Sequence, residues 1–221
     1  MLEEIKAPAA KGKKKSQGEQ IDELISYIER GGSLGFELKK KLEELPQKYV
    51  VLVVTKEDKY DLLIANLLKN FMESGMNGIF VTLNKSGNSL IEMLKEHGVD
   101  CSSLFIVDVI SKGESEEELP VKNISFVDSP QDLTEMQTEI NEFVEKLPSG
   151  EHFFILDSLS TMLIYNAEKT VERFVHRLSE RLRSHGFQSV FIIMDETRPE
   201  VINVLSQFCD KVIRPHPQIS L

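Results

Sequence analysis

Gly150-Glu-His-Phe-Phe-Ile-Leu-Asp-Ser-Leu-Ser160 carries an unbroken apolar run over residues 153–156 that stops at Asp157. A continuous apolar run set between a glycine and polar residues suits a strand buried on both faces, in the middle of a parallel sheet rather than at its edge. Asp157 then marks the strand's carboxyl end. In open α/β sheets that is where ligands bind.

Outward from this strand the chain alternates between two periods. Upstream, residues 49–54 (Tyr-Val-Val-Leu-Val-Val) read as a first strand, followed by a helix from about Lys56 to Glu73 that aligns Leu63, Leu67, Leu68 and Phe71. A second strand is expected over 79–83. Ser86-Gly-Asn-Ser89 then leads into a short helix that stops at Gly98, a residue suited to the left-handed conformation. Residues 104–107 form a third strand, the acidic stretch 114–118 a solvated loop, and residues 124–127 a short extra strand. Ser129-Pro130-Gln-Asp132 has the composition of a helix start, opening a helix through Met136, Ile140, Phe143 and Val144.

Downstream, Asn166 is placed to cap a helix with Val171, Phe174, Val175, Leu178 and Leu182 on one face, closed by Gly186. A buried strand follows over 189–194. Thr197-Arg-Pro-Glu200 opens a last helix through Val201, Leu205 and Phe208, and residues 211–213 finish the sheet. Strands separated by helices imply parallel pairing through right-handed crossovers, hence a three-layer α/β/α sandwich over residues 49–221.

Two segments precede that domain. Residues 1–18 set Lys11, Lys13, Lys14 and Lys15 among Ala, Gly, Pro, Ser and Gln with nothing apolar to bury, and read as a disordered basic tail. Residues 19–48 read as a helical extension: one helix with Ile21, Leu24, Ile25 and Ile28 on a face, a turn at Gly31-Gly32 and Gly35, and a second helix with Leu38, Leu42 and Leu45. A phosphate-cradling glycine loop needs a strand in front of it, and here a helix comes first.

Composition narrows the function classes. A formal charge of −10 and a pI near 5.1 disfavour nonspecific binding of nucleic acid or anionic membrane by the globular body. Nucleic-acid contact is expected at most through the lysine tail. No apolar run approaches the roughly 20 residues needed to span a bilayer, so the expectation is a soluble, cytoplasmic protein. Cys101 and Cys209 stand alone, without metal-ligand or redox spacing, and read as small buried hydrophobes. The histidines are scattered through different elements, and Ser158 and Ser160 lack the glycine-flanked elbow of a hydrolase nucleophile.

The run 153–160 followed by Thr161-Met-Leu resembles the magnesium-site strand of RecA-type P-loop ATPases, particularly the KaiC-like branch. The resemblance extends from about Val50 to Ile213, taking in the polar end of the second strand, the short helix ending at Gly98-Val-Asp100 and the amphipathic helix before residues 189–194. It implies a RecA-like, mostly parallel sheet, a phosphate-binding loop after the first strand, and an acidic pair at the end of the second strand that polarises the attacking water. Assembly side by side is also implied, with a copy of the chain or a related ATPase as the partner.

The chain departs from that pattern at both functional points. The loop after the first strand is Thr55-Lys-Glu-Asp-Lys-Tyr-Asp61, without a glycine to turn backbone amides around a phosphate. Thr55 and Asp58 fit a helix-capping pair instead, with Glu57, Asp58 and Asp61 crowding the first turn. A helix N-terminus favours an anion by about 0.3–1 kcal/mol. Two like charges 4 Å apart repel by roughly 4 kcal/mol at an effective dielectric near 20, so one misplaced carboxylate cancels the helix's contribution. Asn84-Lys85 stands where the acidic pair is expected, and Asn cannot act as a general base.

The resulting expectation is a non-hydrolysing module with no catalytic residue, no resident metal and no cofactor, in which Asp157 is structural. The alternative is an unconventional nucleotide or phosphate site, with magnesium if any, built from Thr55, Lys56, Lys59, Lys85, Asp157 and Ser158.

Overall fold

A computed structural model describes residues 32–111 and 123–215. The lysine tail, the helix expected over residues 19–30 and the acidic loop at 114–118 lie outside those residues.

The apolar runs pair as one seven-stranded parallel sheet: β1 (Tyr49–Thr55), β2 (Asn77–Thr82), β3 (Leu104–Asp108), β4 (Ile124–Phe126), β5 (His152–Asp157), β6 (Gln188–Met194) and β7 (Lys211–Ile213). Their spatial order is β4-β3-β2-β5-β6-β1-β7, which places β5 at the centre. Residues 153–157 are buried throughout, as a strand covered on both faces requires.

Alternation along each strand sorts the core into two layers. Val51 and Val53 face one layer with α1 (Gly32–Glu43), α2 (Tyr60–Glu73) and α3 (Gly87–Glu96). Val50, Leu52 and Val54 face the other, with α4 (Leu133–Lys146), α5 (Leu159–Tyr165), α6 (Glu168–Ser184) and α7 (Pro199–Ser206). Phe71 of α2 stacks on Phe153 of β5 with ring centroids 4.8 Å apart, which fixes α2 over the central strand. A side chain at Gly78 of β2 would collide with that Phe153 ring.

The crossovers diverge at one point. The chain leaves β2 for β3 through α3 on the first face, and leaves β5 for β6 through α5 and α6 on the second. Adjacent strands whose connections depart on opposite faces leave a crevice beyond their carboxyl ends, here beside Thr82 and Asp157.

Three local expectations are corrected. Gly32 and Gly35 belong to α1 rather than to a turn, because Gly35 lies against the Asn66 side chain and its missing Cβ lets α1 approach α2. Asp132 caps α4, accepting from the amides of Thr134 and Glu135, so the helix opens after Ser129 and Pro130 have made a preceding turn. Asn166 does not cap α6. It ends α5, a helix not foreseen, and donates to the carbonyls of Pro130 and Met162. None of the described helices is long and apolar enough to cross a membrane.

Candidate functional site

Three elements converge on the crevice. β5 ends at Asp157, β2 runs out through Leu83 to Asn84, and α2 opens with Tyr60. Asp157 is 1% exposed, so neither carboxylate oxygen can rely on water. Tyr60 donates its phenolic hydroxyl to Asp157 Oδ2, and the Asn84 amide donates to Asp157 Oδ1 at 3.3 Å and to the Tyr60 oxygen at 3.3 Å. Thr161 of α5 donates to Asn84 Oδ1, which fixes the amide's orientation. Thr161 is positioned in turn by Ser158, whose hydroxyl caps α5 by accepting from the Thr161 amide at 3.4 Å. The peptide bond between Asp157 and Ser158 is cis.

Electrostatics follow from this closure. Burial pushes the Asp157 carboxyl up to about 7, and the Tyr60 hydrogen bond and nearby Lys85 charge pull the other way without cancelling it. The Tyr60 phenol is also raised, first by burial and then by the Asp157 charge. Asp108, the equally buried carboxylate at the end of β3, is held instead by backbone amides of Gly87, Ile110 and Ser111.

Above the network lies an open cleft of about 770 Å³ whose lining includes Glu57, Asp58, Asp61, Asn84, Lys85 and Glu196. Four carboxylates there face a single ammonium group, and Lys85 already pairs with Asp61 at 3.2 Å. A polyphosphate would meet net repulsion at this mouth.

The residues singled out from the sequence fall into two places. Asp157 and Ser158 lie in the buried network and Lys85 on the rim above it. Thr55, Lys56 and Lys59 line a second cavity of about 80 Å³ with Asp195 and Arg214. Thr55 caps no helix. It is the last residue of β1, buried, and its hydroxyl bonds the Lys56 carbonyl at 3.3 Å, while a 3₁₀ turn (Glu57–Lys59) without a side-chain cap separates it from α2. Tyr60, Thr161 and Arg214 were missed. A tyrosine as the first helical residue of an otherwise charged turn was the available signal for the first of them. Among the described residues, no group of three or more His, Cys, Asp and Glu side chains is arranged to hold a metal ion.

The fold is RecA-like, and it superimposes on solved archaeal structures. A KaiC-like protein from Pyrococcus horikoshii OT3 matches with a TM-score of 0.56 at 16% identity, over 80% of this chain and 76% of the other. An uncharacterised protein from Pyrococcus horikoshii, solved in complex with an unknown peptide, matches with a TM-score of 0.62 at 14% identity, over 80% and 81%. No curated protein matches the sequence. The model of a family of unknown function, DUF7504, matches residues 50–215, well over half of the chain, and the chain belongs to that family.

Proposed function

We propose that this chain is a non-hydrolysing RecA/KaiC-like module that works by protein association, with another copy or with a related ATPase. The observation that carries the reading is the Asp157 network: the carboxylate that would serve a metal-bound phosphate is engaged by Tyr60 at one oxygen and by Asn84 at the other. The residues present do not fit a resident magnesium–nucleotide pair, since a cation would have to displace both partners from a buried group. The competing enzymatic reading needs Lys56, Lys59, Lys85 and Asp157 around one ligand, but Lys56 and Lys59 line one cavity, Lys85 lines another, and Asp157 is buried and lines neither. A bound peptide in a structural neighbour is consistent with protein association.

The test is thermal unfolding with ATP, ADP and GTP, with and without magnesium. A ligand at one hundred times its dissociation constant adds about 2.7 kcal/mol of stability, so binding is easily seen. No magnesium-dependent shift is expected. A magnesium-dependent shift that Asp157→Ala abolishes establishes a nucleotide site at Asp157, and phosphate release from that complex then overturns the non-hydrolysing reading. The associating part fails if the chain stays monomeric in solution and captures no RecA-type ATPase from its native extract.

A further inference from the structure

We propose that Lys56, Lys59 and Arg214 form a binding site for a phosphate-type dianion at the carboxyl ends of β1, β6 and β7, on the far side of the turn from Asp157. The register brings the parts together. β1 pairs with β6 so that Thr55 lies opposite Met194, and with β7 so that Val53 lies opposite Ile213. The next residues on the two strands beside β1, Asp195 one step beyond Thr55 and Arg214 level with Val54, therefore lie on either side of the end of β1, and the Asp195 amide donates to the Thr55 carbonyl at 2.8 Å.

The turn supplies the other two cations. Residues three apart in a 3₁₀ turn eclipse one another, so Lys56 at its N-cap and Lys59 at its end share a side. Glu57 and Asp58, between them, line the acidic cleft instead.

The result is a cavity of about 80 Å³ with three cations and one carboxylate, in a chain of net charge −10. Only Arg214 has an acidic partner there, Asp195 at 3.4 Å; among the described residues neither lysine has a carboxylate within ion-pair distance. Two neighbouring like charges without a counter-ion repel, and a dianion between them removes that cost. The cavity takes a phosphoryl-sized group, and whatever that group is attached to stays outside it. A guanidinium fork beside two ammonium groups matches the geometry and charge of a phosphoryl group. The ligand is free phosphate or the phosphoryl group of a small monoester.

Isothermal titration of the full chain with inorganic phosphate, and in parallel with phenyl phosphate, tests the site without magnesium. One saturable equivalent is expected, weakening as salt rises. Its affinity should fall roughly tenfold or more both in Lys56→Gln/Lys59→Gln and in Arg214→Gln, the size expected for lost charge-assisted hydrogen bonds. Lys85→Gln should leave it unchanged. Tighter binding of the monoester identifies a phosphorylated small molecule as the ligand class, and equal or weaker binding identifies free phosphate. The proposal is overturned by absence of saturable binding, by unchanged affinity in either variant, or by an equal loss in Lys85→Gln. Because the assay contains no magnesium and avoids Asp157, its failure leaves the non-hydrolysing reading standing, and failure of that reading leaves this site standing.

Discussion

The turn between β1 and α2 has two sides, and they resolve their polar groups in opposite ways. Toward β5, Tyr60 closes over Asp157, and Asn84 and Thr161 complete a network of neutral donors around one buried carboxyl. Toward β7, Lys56 and Lys59 stand near Arg214 with one carboxylate for the three of them. A short 3₁₀ turn makes this division by its period, sending residues 56 and 59 one way while Tyr60 begins the helix on the other. The turn contains no glycine, and its two sides differ in charge balance: one is self-sufficient, and the other sets three cations against one carboxylate.

The largest effect expected from this contrast is in the pH dependence of stability. Folding raises the Asp157 carboxyl from 3.8 to about 7, so between those values the folded chain holds a proton that the unfolded chain releases. Stability attributable to this group is then fully present below about pH 4, falls as pH rises, and levels above pH 7. The span is on the order of 4 kcal/mol. Denaturant unfolding of the native chain and of Asp157→Asn across this range isolates the group, because every other titration is common to both. The native chain should lose stability relative to the variant as pH rises. Parallel curves would mean that Asp157 is not the closed, proton-holding group described.

Tyr60→Phe sharpens the same side. It removes a hydroxyl that stabilises the ionised carboxylate and keeps the ring, so the Asp157 carboxyl should move further up. Above pH 7 the expected loss is about 1.5–3 kcal/mol, the worth of a hydrogen bond to a charged group. Near pH 4, where Asp157 is protonated in both proteins, the loss should shrink. A penalty of equal size at both pH values would show that Tyr60 contributes by packing alone.

What could be read in the sequence divides along the same physical line. β5 was legible because a strand buried on both faces needs consecutive apolar residues, and Asp157 because that run ends there. β1 and β6 were legible for the same reason. The Tyr60–Asp157 hydrogen bond joins residues 97 apart, and Arg214 lines the same cavity as Lys56 only because β7 lies beside β1. Strand order is a nonlocal choice, and no local period encodes it. Short-range errors had a different source. Asn166 suits a helix cap by residue type, yet its amide bonds back to the end of α5 and across to Pro130, a choice set by where that loop packs. α5 itself spans seven residues, fewer than two turns of amphipathic pattern can reveal.

The smallest expected stability effect comes from the basic side. Lys56→Gln/Lys59→Gln removes two like charges from one edge of an exposed turn and breaks no ion pair among the described residues. In buffer free of multivalent anions the variant should be as stable as the native chain, or more stable by up to about 0.5 kcal/mol, the usual scale of a like-charge pair at this spacing. Added phosphate should reverse the order, raising the native chain's melting temperature by more than the variant's. Melting curves of both proteins with and without phosphate show this directly. A variant clearly less stable without anion would mean that the lysines hold the turn together. Their charge would then belong to the fold, as the Asp157 network does, and the contrast between the two sides would disappear.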